Sequence, residues 1–434
     1  MTLRVLLGLY MVLLVAEPVL KLKPLATIGG DFDLSYNLSA LFIFNILFFL
    51  KYLSNNIRDI HINKSYLLLL LLFIFSFIFA TLTNPQSLLF ASSLLVQFLL
   101  QITVILYLGT IYNRRKLLSF FLFLQFFAFI NCLFVYASYF FPNAVGSFTE
   151  IHGFFGYAKG ERPDYIRAFG VMGDAAPWFL SFFACWHLQF RQYLRYFFYA
   201  GSAVLGSSFG ASLLVLVMTY FSLLLSAKNK IRLHLWLVGG LVLLTGTILL
   251  IKPEIITQVS LIRRLNDTKV FSEGSGIQRL FSVGLAFEYI MRNPFWGYGY
   301  GTYLYNLRND LDYFFDNLDF GYGAVSNANN QFLQTWYEFG LIGLVVVFFI
   351  LRYVFRKMRL FTSMGKIQEP LLEFKKAAFV WTASLLLANQ TAVYTIPGLF
   401  WVLICVVIGS CFAINKIIRF ESITYAKSTR NSGV

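Results

Sequence analysis

The sequence predicts an all-α polytopic membrane protein with about twelve transmembrane helices and a large extracytoplasmic loop between the ninth and tenth. Three observations predict it. Leu, Phe, Ile and Val gather in runs of about 18–25 residues, enough to cross roughly 30 Å of hydrocarbon as helix. Charged residues make up only 13% of 434 positions, too few to wet the surface of a soluble fold. Lys and Arg concentrate in alternate connections between the runs. A spanning barrel needs short segments of alternating polarity, and that alternation is absent from the sequence.

The expected spans are 3–20, 36–53, 65–82, 86–108, 117–141, 166–189, 195–206, 208–226, 233–251, 328–351, 376–391 and 396–416. The first run begins at Leu3 without a convincing small-residue cleavage site, so it reads as a retained helix. The seventh is short, and Gly206-Ser207-Ser208 after it marks a tight turn or a broken helix. Basic residues sort the connections. Lys51, Arg58 and Lys64 flank one, Arg114 to Lys116 mark another, and Arg191 with Arg195 mark the next. Lys228, Lys230 and Arg232 follow, then the rich stretch from Arg352 to Lys376. These loops alternate, so the positive-inside rule places all of them, and both termini, in the cytoplasm. The net charge of +15 then reflects topology, and no nucleic-acid partner is expected.

Residues 1–434 read as a single transmembrane domain. Two outer loops are long, roughly 142–165 and 252–326, and loops of that length carry function or small subdomains. Within the second, helical periodicity runs from 277 to 292, with Ile277, Leu280, Phe281, Leu285 and Phe287 on a face suited to the bilayer surface. Pro294 to Gly301 then supplies turns. The four cysteines lie inside apolar runs and the four histidines share no ligand spacing, so neither a disulfide framework nor a metal site is expected.

Chemistry gathers at the start of the tenth span. Asn329 and Asn330 precede Gln334, Tyr337 and Glu338, and positions 330, 334, 337 and 338 share one helical face before Gly340 and Gly343. A polar stripe at a helix mouth lines a wet cavity, or else it is a helix cap with interhelical hydrogen bonds. The glycines suit close helix packing. Arg279 opens the loop helix, Arg167 stands at the outer end of the sixth span, and Arg308 lies in the same loop as Arg279. A guanidinium is a planar fork of donors that fits phosphate oxygens. Tyr298 and Tyr300 present rings and hydroxyls to sugars, although aromatic residues also favour membrane interfaces.

The order of these features resembles the O-antigen polymerase and O-antigen ligase superfamily of bacterial envelope glycosyltransferases. Arg167, Gly170 and Asp174 come first, then Gly206 to Ala211, Gly276 with Arg279, Asn293 to Gly299, and Asn329-Asn330 with its glycines. The resemblance covers roughly 160–350 in motifs and the whole chain in its GT-C-like topology. It implies metal-independent transfer of a glycan from an undecaprenyl pyrophosphate donor to an acceptor hydroxyl, with no cofactor, at the outer face of the cytoplasmic inner membrane. The implied product is lipopolysaccharide O-antigen, capsule or exopolysaccharide. Its implied partners are the lipid-linked oligosaccharide, membrane lipids, a chain-length regulator and a flippase. The catalytic candidates on this chain are Arg279, Asn329, Asn330 and Glu338. The substrate-binding candidates are Arg167, Arg279, Arg308, Tyr298 and Tyr300. Ligases place a histidine where this sequence has Asn329, and many members carry arginine where it has Phe209. Asparagine is no general base at neutral pH, so the departure favours polymerase over ligase. Two further readings stay open: a metal-dependent transferase using Asp31 and Asp33, and a lipid-linked oligosaccharide flippase or other transporter.

Overall fold

The computed structural model describes residues 21–28, 34–39, 113–141, 176–205, 209–226, 275–299, 330–358, 369–388 and 399–431, with single residues between them that include Ile105, Leu108, Tyr303 and Ala328. Among these residues the architecture is helical apart from one hairpin. Strand β1 (Lys21–Ile28) pairs antiparallel with β2 (Leu34–Ser39), Lys21 opposite Ser39 and Ile28 opposite Leu34. The hairpin departs from the all-α expectation and takes the first four residues of the span expected from 36 to 53. Tyr36, Asn37 and Ser39 are poor material for a lipid-facing helix, and the β-branched Thr27 and Ile28 favour pleated backbone.

Eight helices follow among the described residues. α1 (Arg114–Phe140) starts where Asn113 accepts a hydrogen bond from the Lys116 amide at 3.2 Å, an N-cap that satisfies one of the helix's free amides. α2 (Ala176–Gln189) and α3 (Tyr193–Leu205) are joined by three residues, and Arg191 takes a left-handed φ of 57° to turn the chain between them. α4 (Phe209–Ser226) begins four residues after α3 ends, which agrees with the break expected at Gly206 to Ser208. α5 (Ser275–Arg292) occupies the expected loop helix. α6 (Gln331–Met358), α7 (Glu369–Ala388) and α8 (Leu399–Asn431) complete the order.

α1 and α6 are the two helices, among the described residues, long and apolar enough to cross a membrane. Both expose large apolar side chains, Phe126 and Leu133 on α1 and Val345 and Phe348 on α6, as lipid-facing helices do. The remaining expected spans at 3–20, 65–82, 86–108 and 233–251 lie wholly or largely outside the described residues. So does the loop at 142–165.

The main core is built around α2. Its side chains from Trp178 to Phe183 are buried without a polar face, apart from Ser181, because α3, α4 and α7 enclose it. Rings supply most of the contacts. Phe121 of α1 stacks on Phe374 of α7 with centroids 4.0 Å apart, and Trp186 closes edge-on against both. The buried indole of Trp381 donates to the Ser181 hydroxyl at 2.9 Å, which ties α7 to α2. Cys132 and Ser202 meet at 3.0 Å between α1 and α3, so this cysteine is a small core residue as expected.

α7 begins seven residues before the span expected from 376, and α8 runs to Asn431, past the expected end at 416. Charges did not stop either helix, because they find partners. The Lys375 ammonium donates to Asn415 at 2.7 Å, and the Asn415 amide donates to the Lys357 carbonyl at 2.7 Å, joining α6, α7 and α8. Truncating Trp381 to alanine is expected to cost about 3–5 kcal/mol through its cavity and the lost bond. The apparent Tm of the detergent-solubilised protein should fall by several degrees, whereas Phe126→Ala, on the exposed side of α1, should leave it nearly unchanged.

Candidate functional site

The second, smaller core lies where α5, the residues after it and the start of α6 meet. Asn330 caps α6: its side-chain oxygen accepts from the amides of Phe332 at 2.9 Å and Leu333 at 3.1 Å. One turn on, Gln334 is buried and uses both ends of its amide. Its oxygen accepts from the Ala328 amide at 2.8 Å, and its nitrogen donates to the Glu338 carboxylate at 2.8 Å. Of the polar stripe, Gln334 and Glu338 therefore form a connected line of hydrogen bonds that fixes Ala328, while Asn330 serves as the helix cap.

At Gly340 the helix breaks, with φ 66° and ψ −176°. In an unbroken helix the Tyr337 and Glu338 carbonyls accept from the amides four residues on. Here Tyr337 accepts from the Tyr298 amide at 2.9 Å and Glu338 from the Gly299 amide at 3.0 Å. The Leu341 amide turns to the Pro294 carbonyl at 2.9 Å, which also accepts from the Trp336 indole at 2.9 Å. The segment from Pro294 to Gly299 thus takes up the backbone groups that the break releases. The approach is close enough to require glycine on both sides. A Cβ on Gly340 would sit 2.0 Å from the Phe295 carbonyl oxygen, and one on Gly297, at φ 74°, would sit 2.5 Å from the Gly340 nitrogen.

Four tyrosines brace this clamp. Tyr298 stacks on Tyr337 at 5.1 Å and its hydroxyl donates to the Tyr289 carbonyl at 3.0 Å. The buried Tyr303 donates to the Ser282 carbonyl at 2.6 Å and meets Tyr337 edge-on. Burial raises the pKa of the Tyr303 hydroxyl, with Tyr289 adding to the rise; burial also raises that of Tyr298, against the opposing charge of Arg292. Both hydroxyls stay protonated through the physiological range and serve as donors.

The structure brings Tyr298 and Glu338 together at this clamp, while Asn330 caps the same helix about two turns earlier. Arg279 lies on α5 one turn before Ser282, so its backbone is close to the Tyr303 contact; its side chain is outside the described residues. Arg167, Tyr300, Arg308 and Asn329 are also outside them. Leu285 of the expected bilayer-facing set packs on the small core, while Phe287 is exposed. The sequence placed Ser282 off the bilayer-facing side of the loop helix but singled out neither Tyr289 nor the bond from the Ala328 amide to Gln334, since those partners are backbone groups or distant residues. Replacing Gly340 with alanine is expected to open the clamp and lower the apparent Tm by several degrees. Gly284→Ala, where a Cβ meets nothing within 4 Å, should hold or slightly raise it.

Residues 196–348 match the family model described as O-antigen ligase. No curated protein matches the chain. The matched stretch runs from α3 through α4, α5 and the clamp into α6. The family is one of membrane proteins, and its members are glycosyltransferase-like enzymes. Residues 196–348 are thus similar to the O-antigen ligase family, in keeping with the resemblance to the O-antigen polymerase and ligase superfamily.

Proposed function

We propose that the protein is a polysaccharide polymerase that transfers a growing glycan from undecaprenyl pyrophosphate to a lipid-linked repeat unit at the outer face of the cytoplasmic membrane. The observation that carries this reading is the coincidence of the O-antigen ligase family match with the clamp around Gly340. Twelve spans with both termini in the cytoplasm put the clamp at the outer end of α6. The donor would be held by Arg279, with Arg167 and Arg308 as further cations, because guanidinium groups stabilise the charge that develops on the departing pyrophosphate. Asn329 would orient the acceptor hydroxyl, and its neighbour Ala328 is held through Gln334 and Glu338. No metal enters this scheme. A second reading, transfer of finished glycan to lipid A-core by a ligase, shares the same family match.

Deleting the gene and resolving surface glycans on a gel separates the two. A polymerase leaves single repeat units on the lipid core, and wild type restores the ladder; a ligase instead leaves long lipid-linked chains and no glycan on its acceptor. Arg279→Ala is expected to leave the ladder collapsed, with Asn329→Ala weaker but incomplete. Restoration of a full ladder by Arg279→Ala would remove that residue from donor binding.

Glu338 is 1% exposed and its carboxylate is turned to Gln334, so we assign it to positioning. Loss of a general base costs about 10²–10⁴ in rate. Glu338→Gln, which keeps an acceptor for Gln334, should therefore cost roughly tenfold or less in a transfer assay, while Glu338→Ala should cost far more. An equal loss in both would identify the carboxylate itself as the base.

A further inference from the structure

We propose that Phe287, Met291, Phe295 and Trp296 form a membrane-seated strip, immersed in the bilayer leaflet at the clamp end of α6, so that α5 lies along the membrane surface. The proposal rests on the membrane-spanning reading of α6 and takes bilayer lipid as the occupant of the strip.

α5 has three sectors. Ser282, Ala286, Tyr289 and Ile290 are buried against the small core. Phe287 and Met291, 50% and 61% exposed, follow each other at one helical turn on a second sector. Glu288 and Arg292, more than half exposed, pair on a third. A helix bounded only by core and water has no use for a separate apolar sector. One lying at an interface has core on one flank, lipid below and water above.

The strip continues beyond the helix. Phe295 and Trp296 are 56% and 45% exposed, and the Leu341 amide is bonded to the Pro294 carbonyl beside them. Leu341 opens the exposed apolar face of α6, which runs on through Val345 and Phe348. The exposed apolar face of α6 and the strip that follows α5 thus adjoin at the Leu341–Pro294 bond. The Arg292 guanidinium, 5.3 Å from the centre of the Tyr289 ring, borders it where headgroup phosphates would lie.

The test uses full-length protein in lipid nanodiscs, with Met291→Cys, Phe287→Cys and Glu288→Cys each labelled by an environment-sensitive fluorophore. The described native cysteines are all buried, and unsubstituted protein gives the labelling background. Phosphatidylcholine carrying a nitroxide high on its acyl chain should quench the labels at 287 and 291 at least about twofold more than the label at 288, with aqueous iodide in the reverse order. Iodide reaching all three equally would overturn the proposal by placing the strip in water. Protection from both quenchers would overturn it in favour of a protein, whether a second copy or another partner. No readout here involves glycan transfer, so this result and that of the ladder experiment can fail independently.

Discussion

A backbone amide or carbonyl without a partner costs about 1–3 kcal/mol where water is scarce, and the break at Gly340 releases several such groups at once. The arrangement at the head of α6 follows from that cost. Tyr298, Gly299 and Pro294 supply the missing partners through backbone atoms, so the pairing depends on how closely two chains approach and little on side-chain identity. Only glycine at 297 and 340 permits the approach. The helix break and the turn segment are two halves of one structure, and neither is stable in this form without the other.

The opposite end of α6 is held by different means. Val354 and Met358 enter the main core, and Asn415 binds the Lys357 carbonyl while accepting from Lys375. A buried ammonium is tolerated when its hydrogen bonds are met within the protein, and this one draws three helices together. Between these two ends, α6 buries Gly343 and Val346 on one side and exposes Val345, Phe348 and Phe349 on the other.

Much of the helical layout was legible because apolar runs carry their own signal. α1, α3 and α4 begin and end within a few residues of the expected spans, and the loop helix falls where its periodicity places it. The boundaries of α7 and α8 were not legible, since Lys375 looks like the end of a span until Asn415 is known to meet it. At the candidate site, the shared face of 330, 334 and 338 was visible from spacing alone. The role of Gly340 was not: paired glycines read as helix packing, and the partner that requires a positive φ lies more than forty residues earlier. Tyr298 was legible as an exposed aromatic near sugars, but its hydroxyl is committed to Tyr289 and its ring to Tyr337, contacts that no local pattern encodes.

Joining two lipid-bound substrates is limited chiefly by placing their reacting groups at the same height and angle, and rigid placement can supply much of a barrier of this kind. In the proposed transfer, the clamp would meet that need by connection. Tyr303 and Ala328 pack in one small core with Tyr337, so the chain leaves for residues 304–327 and returns at the same point on α6. The turn of α5 that carries Arg279 adjoins that point through Ser282, and the line from Glu338 through Gln334 ends at the residue before Asn329. Ser282 and Ala328, the described residues beside those two candidates, are thus both tied to the head of α6, one through Tyr303 and the small core and the other through Gln334.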